Sequence, residues 1–209
     1  MRYKHIVFDI DGTLIDTEYA VLHSLQDTLI AVTGITKEIN ELTFALGIPG
    51  KYALKKLNIP ESSFSLILGD WERCMSKYSN TVCIFPGISD LLEALLQSGY
   101  ELGIVTSKTR EEFKQDFEPF DIRSYFTTII CADDTVEHKP EPDPLFKYME
   151  VSDASINEML YIGDSAYDRD CAKSADVNFA LAGWGSRSRE IQADYYLEKP
   201  DDLHSILGD

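Results

Sequence analysis

The chain has 209 residues, 44% of them hydrophobic and 26% charged, which is ordinary for a globular protein with room for one large domain or a medium one carrying a smaller insert. Its formal net charge of −17 disfavours nucleic-acid backbones and anionic membranes as partners, and it obliges any phosphate site to carry local cations and backbone dipoles. Cys74, Cys83, Cys131 and Cys171 lie far apart, with no C-x-x-C and no histidine at zinc-like spacing, so reduced thiols in a cytoplasmic protein are expected rather than disulfides or structural zinc.

The first element, residues 3–8, ends in the apolar run Ile6-Val7-Phe8. That run is too brief for a helix, a signal peptide or a membrane span, and it reads as a buried strand entering a loop at Asp9. Residues 15–80 then break any strand rhythm. Val21, Leu22, Leu25, Leu29 and Val32 form a helical stripe that ends near Gly34, and helix-length segments follow at about 37–46, 51–57 and 61–78. The expectation is a small helical module, residues 15–82, inserted between the parts of a core made of 1–14 and 83–209, with joints at 12–16 and 81–87 and no clear strand inside it.

Beyond the insert the pattern changes. Ile88, Leu91, Leu92 and Leu95 fall at helical spacing after Pro86-Gly87, and Leu102-Gly103-Ile104-Val105 reads as a strand. Phe113 and Phe117 suggest a helix broken by Pro119; 127–131 suggests a strand, and Leu145, Tyr148 and Met149 a helix after Pro144. Two more strands are expected at 159–162 and 177–181. Strands alternating with helices of this size predict an α/β fold, a doubly wound parallel sheet with helices on both faces.

Open parallel sheets bind ligands at the carboxyl ends of their strands, and four polar clusters sit at such ends here. Asp9-Ile10-Asp11-Gly12-Thr13 follows the first strand, and residues two apart in extended chain share a face, so both carboxylates can look into one site; a plain Asp-Gly turn explains the segment equally well. Thr106-Ser107-Lys108 offers hydroxyls and turn amides to phosphate oxygens, with Lys108 opening the next helix; the simpler account is a helix cap at Ser107 or Thr109. Lys139 stands in the proline-bracketed loop His138-Lys139-Pro140-Glu141-Pro142, able to neutralise a carboxylate and a phosphoryl oxygen together, although most loop lysines are simply exposed. Gly163-Asp164-Ser165-Ala166-Tyr167-Asp168 places two further acids four apart, on one face of a first helical turn. Helix N-termini favour acids, yet that preference does not explain their pairing with Asp9 and Asp11, whereas a hard Mg²⁺ does.

These four segments, in this order over nearly the whole chain, resemble the motifs of the haloacid dehalogenase-like hydrolases. The helical insert is similar to the cap of the branch containing phosphoglycolate phosphatases and β-phosphoglucomutases, and Gly183-Trp184-Gly185 looks like the phosphatase side of that branch. The resemblance implies that Asp9 is the nucleophile and a Mg²⁺ ligand. Asp11 is implied as the general acid–base, with its carbonyl on the metal, Thr106 as a phosphate donor, and Lys139 as the cation holding Asp9 and the phosphoryl oxygens. Asp164 is implied as a metal ligand and Asp168 as a ligand or its support. Ser107 stands where many phosphatases of the branch carry Asn, and its amide can serve the same purpose. The substrate-binding set expected is Thr106, Ser107, Gly12 and Lys51, the last brought by the loop Leu46-Gly47-Ile48-Pro49-Gly50-Lys51 towards an anionic tail.

The expected activity is Mg²⁺-dependent hydrolysis of a small phosphomonoester, a phosphorylated metabolite of the phosphoglycolate kind, through an aspartyl-phosphate, by a monomer or homodimer. An acid at Asp11 favours P–O cleavage over dehalogenase or phosphonatase chemistry, because a leaving alkoxide needs a proton. A phosphosugar mutase would use the same residues and differ by needing a bisphosphate activator. A silent binding module on the same fold would be marked by loss of a motif acid, and none is lost.

Overall fold

The structure is a computed structural model, and it describes residues 2–208. The chain divides into two compact units, one of residues Met1–Ile15 with Ile84–Asp209 and one of Asp16–Cys83.

In chain order, β1 (His5–Phe8) leads through a loop to the two-residue strand β2 (Ile15–Asp16), followed by the helices α1 (Glu18–Thr33), α2 (Ile39–Leu42), α3 (Gly50–Lys56) and α4 (Phe64–Met75). β3 (Cys83–Ile84) returns the chain, and α5 (Ile88–Gln97), β4 (Glu101–Val105), α6 (Arg110–Asp116), β5 (Thr128–Ile130) and α7 (Asp143–Ser152) follow. The chain closes with β6 (Met159–Gly163), α8 (Ala166–Ser174), β7 (Asn178–Ala182), β8 (Tyr195–Leu197) and α9 (Leu203–Leu207). The α/β class read from the sequence is what the structure shows. Two corrections concern strands: β2 and β3 pair as a short two-stranded ladder at the joints, where no strand was expected, and β8 extends the main sheet. Both were invisible in the hydropathy, because β2 and β3 are two residues long and β8 buries only Leu197.

The main sheet has six strands in the order β5-β4-β1-β6-β7-β8, and every pairing in it is parallel. Numbered among themselves, these strands run 3-2-1-4-5-6, the doubly wound order whose ligand crevice opens where the winding reverses. That point lies between β1 and β6. Both strands are buried along their whole length, which is why each reads as a continuous apolar run rather than an alternating one.

Side chains of the sheet still alternate between its faces. Val7, Val105, Tyr161 and Leu181 join one core cluster with Leu145, Tyr148, Cys171 and Ala172 from α7 and α8. Phe8 meets Phe126 edge-on, with ring centroids 6.2 Å apart. A Cβ on Gly103 would stand 2.1 Å from the Tyr148 ring, so only glycine lets α7 settle onto β4.

The inserted unit has its own core. Leu22, Leu25 and Leu29 of α1 are buried with Ile67, Trp71 and Cys74 of α4, and the Trp71 indole donates to Ser24 Oγ at 2.9 Å. Gly34, at φ +70°, closes α1 by donating its N–H to Ile30 O. No helix among the described residues is long and apolar enough to cross a membrane.

Candidate active site

Asp9 leaves β1 at its carboxyl end, its N–H held by Ile162 O of β6 at 2.9 Å. The residue is 2% exposed. The loop turns back at once: Thr13 and Leu14 both donate to Ile10 O, and Gly12 sits at φ +76°. Glycine is needed there for a second reason, since a Cβ would lie 2.3 Å from Asp164 Oδ2. The Asp164 carboxylate therefore lies directly against the Gly12 backbone.

Asp164 itself follows β6 and precedes the cap residue of α8, which is Ser165. It does not share a helical turn with Asp168, contrary to the spacing argument; the two converge because α8 begins one residue later and Asp168 folds back. Asp168 closes a capping box with Ser165, accepting from its N–H at 3.1 Å and from its hydroxyl. Gly163 permits that return, because a Cβ there would stand 2.5 Å from Asp168 Cγ.

Lys139 binds these acids together. Its ammonium lies 2.9 Å from Asp9 Oδ1 and 2.7 Å from Asp168 Oδ1, with all three side chains buried. Tyr161, pointing up from β6, touches the same pair: its hydroxyl accepts from Lys139 at 3.1 Å and lies 2.9 Å from Asp168 Oδ1 and 3.0 Å from Val105 O. Burial and then the neighbouring Asp168 and Asp9 hold that phenol far above its ordinary pKa, so it stays a proton donor. Burial opposes the charge on Lys139, but Asp168 and Asp9 outweigh it and raise its pKa. Asp9 is pushed up to about 7, first by burial and then by Asp168 and Asp11, against the pull of Lys139. Asp164 is likewise raised, by burial, Asp168 and Asp9.

Carboxylate oxygens of Asp9, Asp164 and Asp168 lie within 4.8 Å of one another, and Asp164 Oδ1 is buried without a hydrogen-bond partner among the described residues. An unpartnered buried carboxylate oxygen facing two more acids is costly in the bare protein, and this all-oxygen donor set fits a hard divalent cation. Asp168 is the least available of the three, since Lys139, Tyr161 and Ser165 already occupy both its oxygens. Its two oxygens are therefore the most fully engaged of the group. The other acidic group, Cys131 with Asp133 and Asp134, is differently employed: Asp133 accepts from the N–H of Arg110, and Asp134 pairs with the Arg110 guanidinium.

At the end of β4, Thr106 is 3% exposed and its hydroxyl accepts from the Lys108 N–H at 3.2 Å, while Ser107 Oγ is buried and unpartnered among the described residues. The helix that follows is capped by Thr109 in a box with Glu112, so Lys108 does not open it. Instead the Lys108 side chain is buried, 2.7 Å from Asp116 and 3.3 Å from Asp11. Burial disfavours its charge, but Asp11 and Asp116 more than compensate and raise its pKa. Lys108 and Tyr161 are the site residues that sequence reasoning missed. A lysine two residues past a motif threonine was a visible signal for the first; Tyr161, inside an apolar strand, gave none. Lys51 belongs to the inserted unit, at the start of α3, with its side chain exposed.

A family model described as haloacid dehalogenase-like hydrolase matches residues 6–182. The chain is 31% identical over 219 residues to the pyrophosphatase PpaX of Oceanobacillus iheyensis, covering all of this chain and 99% of that protein. It is 28% identical to the pyrophosphatase PpaX of Halalkalibacterium halodurans over 212 residues, covering all of this chain and 98% of that one. Among solved structures, a candidate phosphoglycolate phosphatase from Lactobacillus plantarum superposes with a TM-score of 0.90 at 30% identity, covering 99% of this chain and all of that one. The chain belongs to the haloacid dehalogenase-like hydrolases, and its relatives place it among their phosphatases.

Proposed function

We propose that the protein is a Mg²⁺-dependent phosphatase in which Asp9 attacks a small phosphate compound whose leaving group is itself an anion, as in phosphoglycolate or pyrophosphate. One observation carries the reading: a buried carboxylate at the switch point of the sheet, 2.9 Å from a buried lysine and against an unpartnered second carboxylate. Such a group is costly unless a cation and a phosphoryl group complete it.

Asp9 and Asp164, with the Asp11 carbonyl, would hold Mg²⁺, which when bound supplies positive charge to the phosphoryl oxygens. An Asp9 oxygen forms a bond to phosphorus while the bond to the leaving oxygen breaks, and Asp11 gives that oxygen its proton. Asp11 then takes a proton from water, the hydroxide attacks phosphorus, and the bond to Asp9 breaks to release phosphate. Lys139 holds the Asp9 carboxylate in line and neutralises phosphoryl charge; Thr106 and the Ser107 amide bind the remaining oxygens. Lys108 lies 3.3 Å from Asp11, the residue that would protonate the leaving oxygen, and so would offer an anionic leaving group a cation in a protein otherwise so acidic. The helical unit would act as the cap that excludes water, with Lys51 as its contribution to the anionic tail. We place the enzyme in the cytoplasm, as a monomer or homodimer, consistent with its four free cysteines.

The test is a panel of pyrophosphate, phosphoglycolate, glucose phosphates and an aryl phosphate, assayed with Mg²⁺ and with chelator. The anionic-leaving-group substrates should lead kcat/KM by about tenfold, and Lys108→Met should erase that lead. Turnover indifferent to chelator, or a preference for neutral leaving groups, would overturn the reading. A requirement for a sugar bisphosphate would turn it into a mutase.

A further inference from the structure

Outside the four clusters, one further segment touches the Asp9 loop. After β7 the chain turns tightly, with Gly185 and Ser186 both donating to Ala182 O, and Gly183 is pinned to Leu197 of β8 by a 2.7 Å hydrogen bond. From that anchored turn the half-buried Trp184 indole reaches across and donates Nε1–H to Thr13 O at 2.9 Å. Gly185 presses against the same loop one residue earlier: a Cβ on it would stand 1.8 Å from Gly12 O and 2.7 Å from Gly12 C. Gly12 also lies against Asp164. Gly12 therefore touches both Gly185 and Asp164, with no room for a side-chain atom at either contact.

The geometry points to Trp184 and Gly185 as positioning residues, a brace that presses the Asp9–Thr13 loop onto Asp164 and so sets the spacing of the two acids that share the cation. Thr13 is the last residue before Leu14, whose carbonyl accepts from Phe85 N at 3.1 Å beside the β2–β3 ladder. The indole thus holds the chain between Asp11 and the β2–β3 ladder. A tight loop without this brace would have only its own turn bonds to resist displacement, and sub-ångström errors in such a site are expensive.

Two variants and two kinds of readout test this. Trp184→Phe keeps the apolar ring and removes the N–H; Gly185→Ala inserts a methyl group where Gly12 now lies. Supporting groups of this kind change metal affinity or rate by about 10- to 100-fold, and we expect weaker Mg²⁺ or Mn²⁺ binding to the substrate-free protein, by calorimetry, in that range for Gly185→Ala. Trp184→Phe should lower kcat by about tenfold with KM changed less than twofold. In the Trp71→Phe background Trp184 is the sole tryptophan. Its emission should shift when Mn²⁺ is added. A protein that melts lower in both variants yet binds metal and turns over as before would overturn the brace, as would an indole blind to metal. Should Gly185→Ala not fold, Trp184→Phe decides alone. The metal titration and the emission need no substrate, so they speak to the brace even if no phosphate compound is hydrolysed.

Discussion

The two ends of the central sheet carry similar side chains and treat them in opposite ways. At the amino end, Lys4 pairs with Glu101 at 2.8 Å, buried His5 lies 3.4 Å from the Tyr148 hydroxyl, and the Tyr3 hydroxyl meets Tyr195 at 3.0 Å and accepts from Asn178 at 2.8 Å. At the carboxyl end, four acids and two lysines crowd together, and Asp164 Oδ1, Thr13 Oγ1 and Ser107 Oγ are buried without partners among the described residues. Buried polar atoms are normally matched, so a set left unmatched at one end marks where free energy has been withheld from stability and kept for a ligand. Charge already separates the ends, and satisfaction says what the difference is for.

The comparison breaks first at Asp9. Asp9→Asn should cut kcat/KM by about 10⁴-fold or more, because an amide cannot attack phosphorus. The same change should leave the metal-free protein at least as stable at neutral pH. The sign follows from the raised pKa: a carboxyl at about 7 in the fold, against an ordinary 3.8, favours folding when protonated, and that contribution fades as pH rises between those values. Metal-free wild type should therefore lose melting temperature from pH 4 to 7 more steeply than the Asn variant; parallel curves would show that Asp9 is not strained by its surroundings.

A middle-sized effect is expected at Tyr161, which sits under the site yet belongs to the strand core. Tyr161→Phe removes the hydroxyl shared by Lys139, Asp168 and Val105 O. We expect a loss of about 1–3 kcal/mol in denaturant unfolding together with about a tenfold fall in kcat. Lost stability with unchanged kcat would assign Tyr161 to the scaffold alone.

The smallest effect belongs to the amino end. His5 has its pKa lowered, chiefly by burial and against the pull of Glu101, so its neutral form stabilises the fold above the ordinary 6.5 and that stability is lost as pH falls through the folded value. His5→Gln should flatten the acid limb of stability by about 1 kcal/mol or less and leave kcat within twofold at neutral pH. A large loss of activity would mean that the ends are coupled and that the contrast drawn between them is false.

Much of the site was legible before any coordinates. Asp9, Asp11, Lys139 and Asp164 were found because the motif acids sit at the ends of apolar runs, and a parallel sheet gathers strand ends on one edge. The cap at Thr109, one of the two preferred readings of its segment, is what the structure shows, but local rules gave no sign that the Lys108 side chain reaches Asp11 and Asp116. Asp168 was grouped with Asp164 by spacing, although the helix begins between them. Tyr161 was hidden by its strand, where a tyrosine and an isoleucine count alike.

By itself the amino-acid sequence determined the class of fold, the strand ends and the kinds of atoms gathered there, because these follow from short-range periodicity and from residue chemistry. Only the tertiary structure decided which oxygens are already engaged, which glycine makes room for which carboxylate, and that an indole from the turn after β7 reaches Thr13. The contacts of Trp184 with Thr13 and of Gly12 with Asp164 join residues more than 150 positions apart, and no local pattern encodes a distance across the sheet.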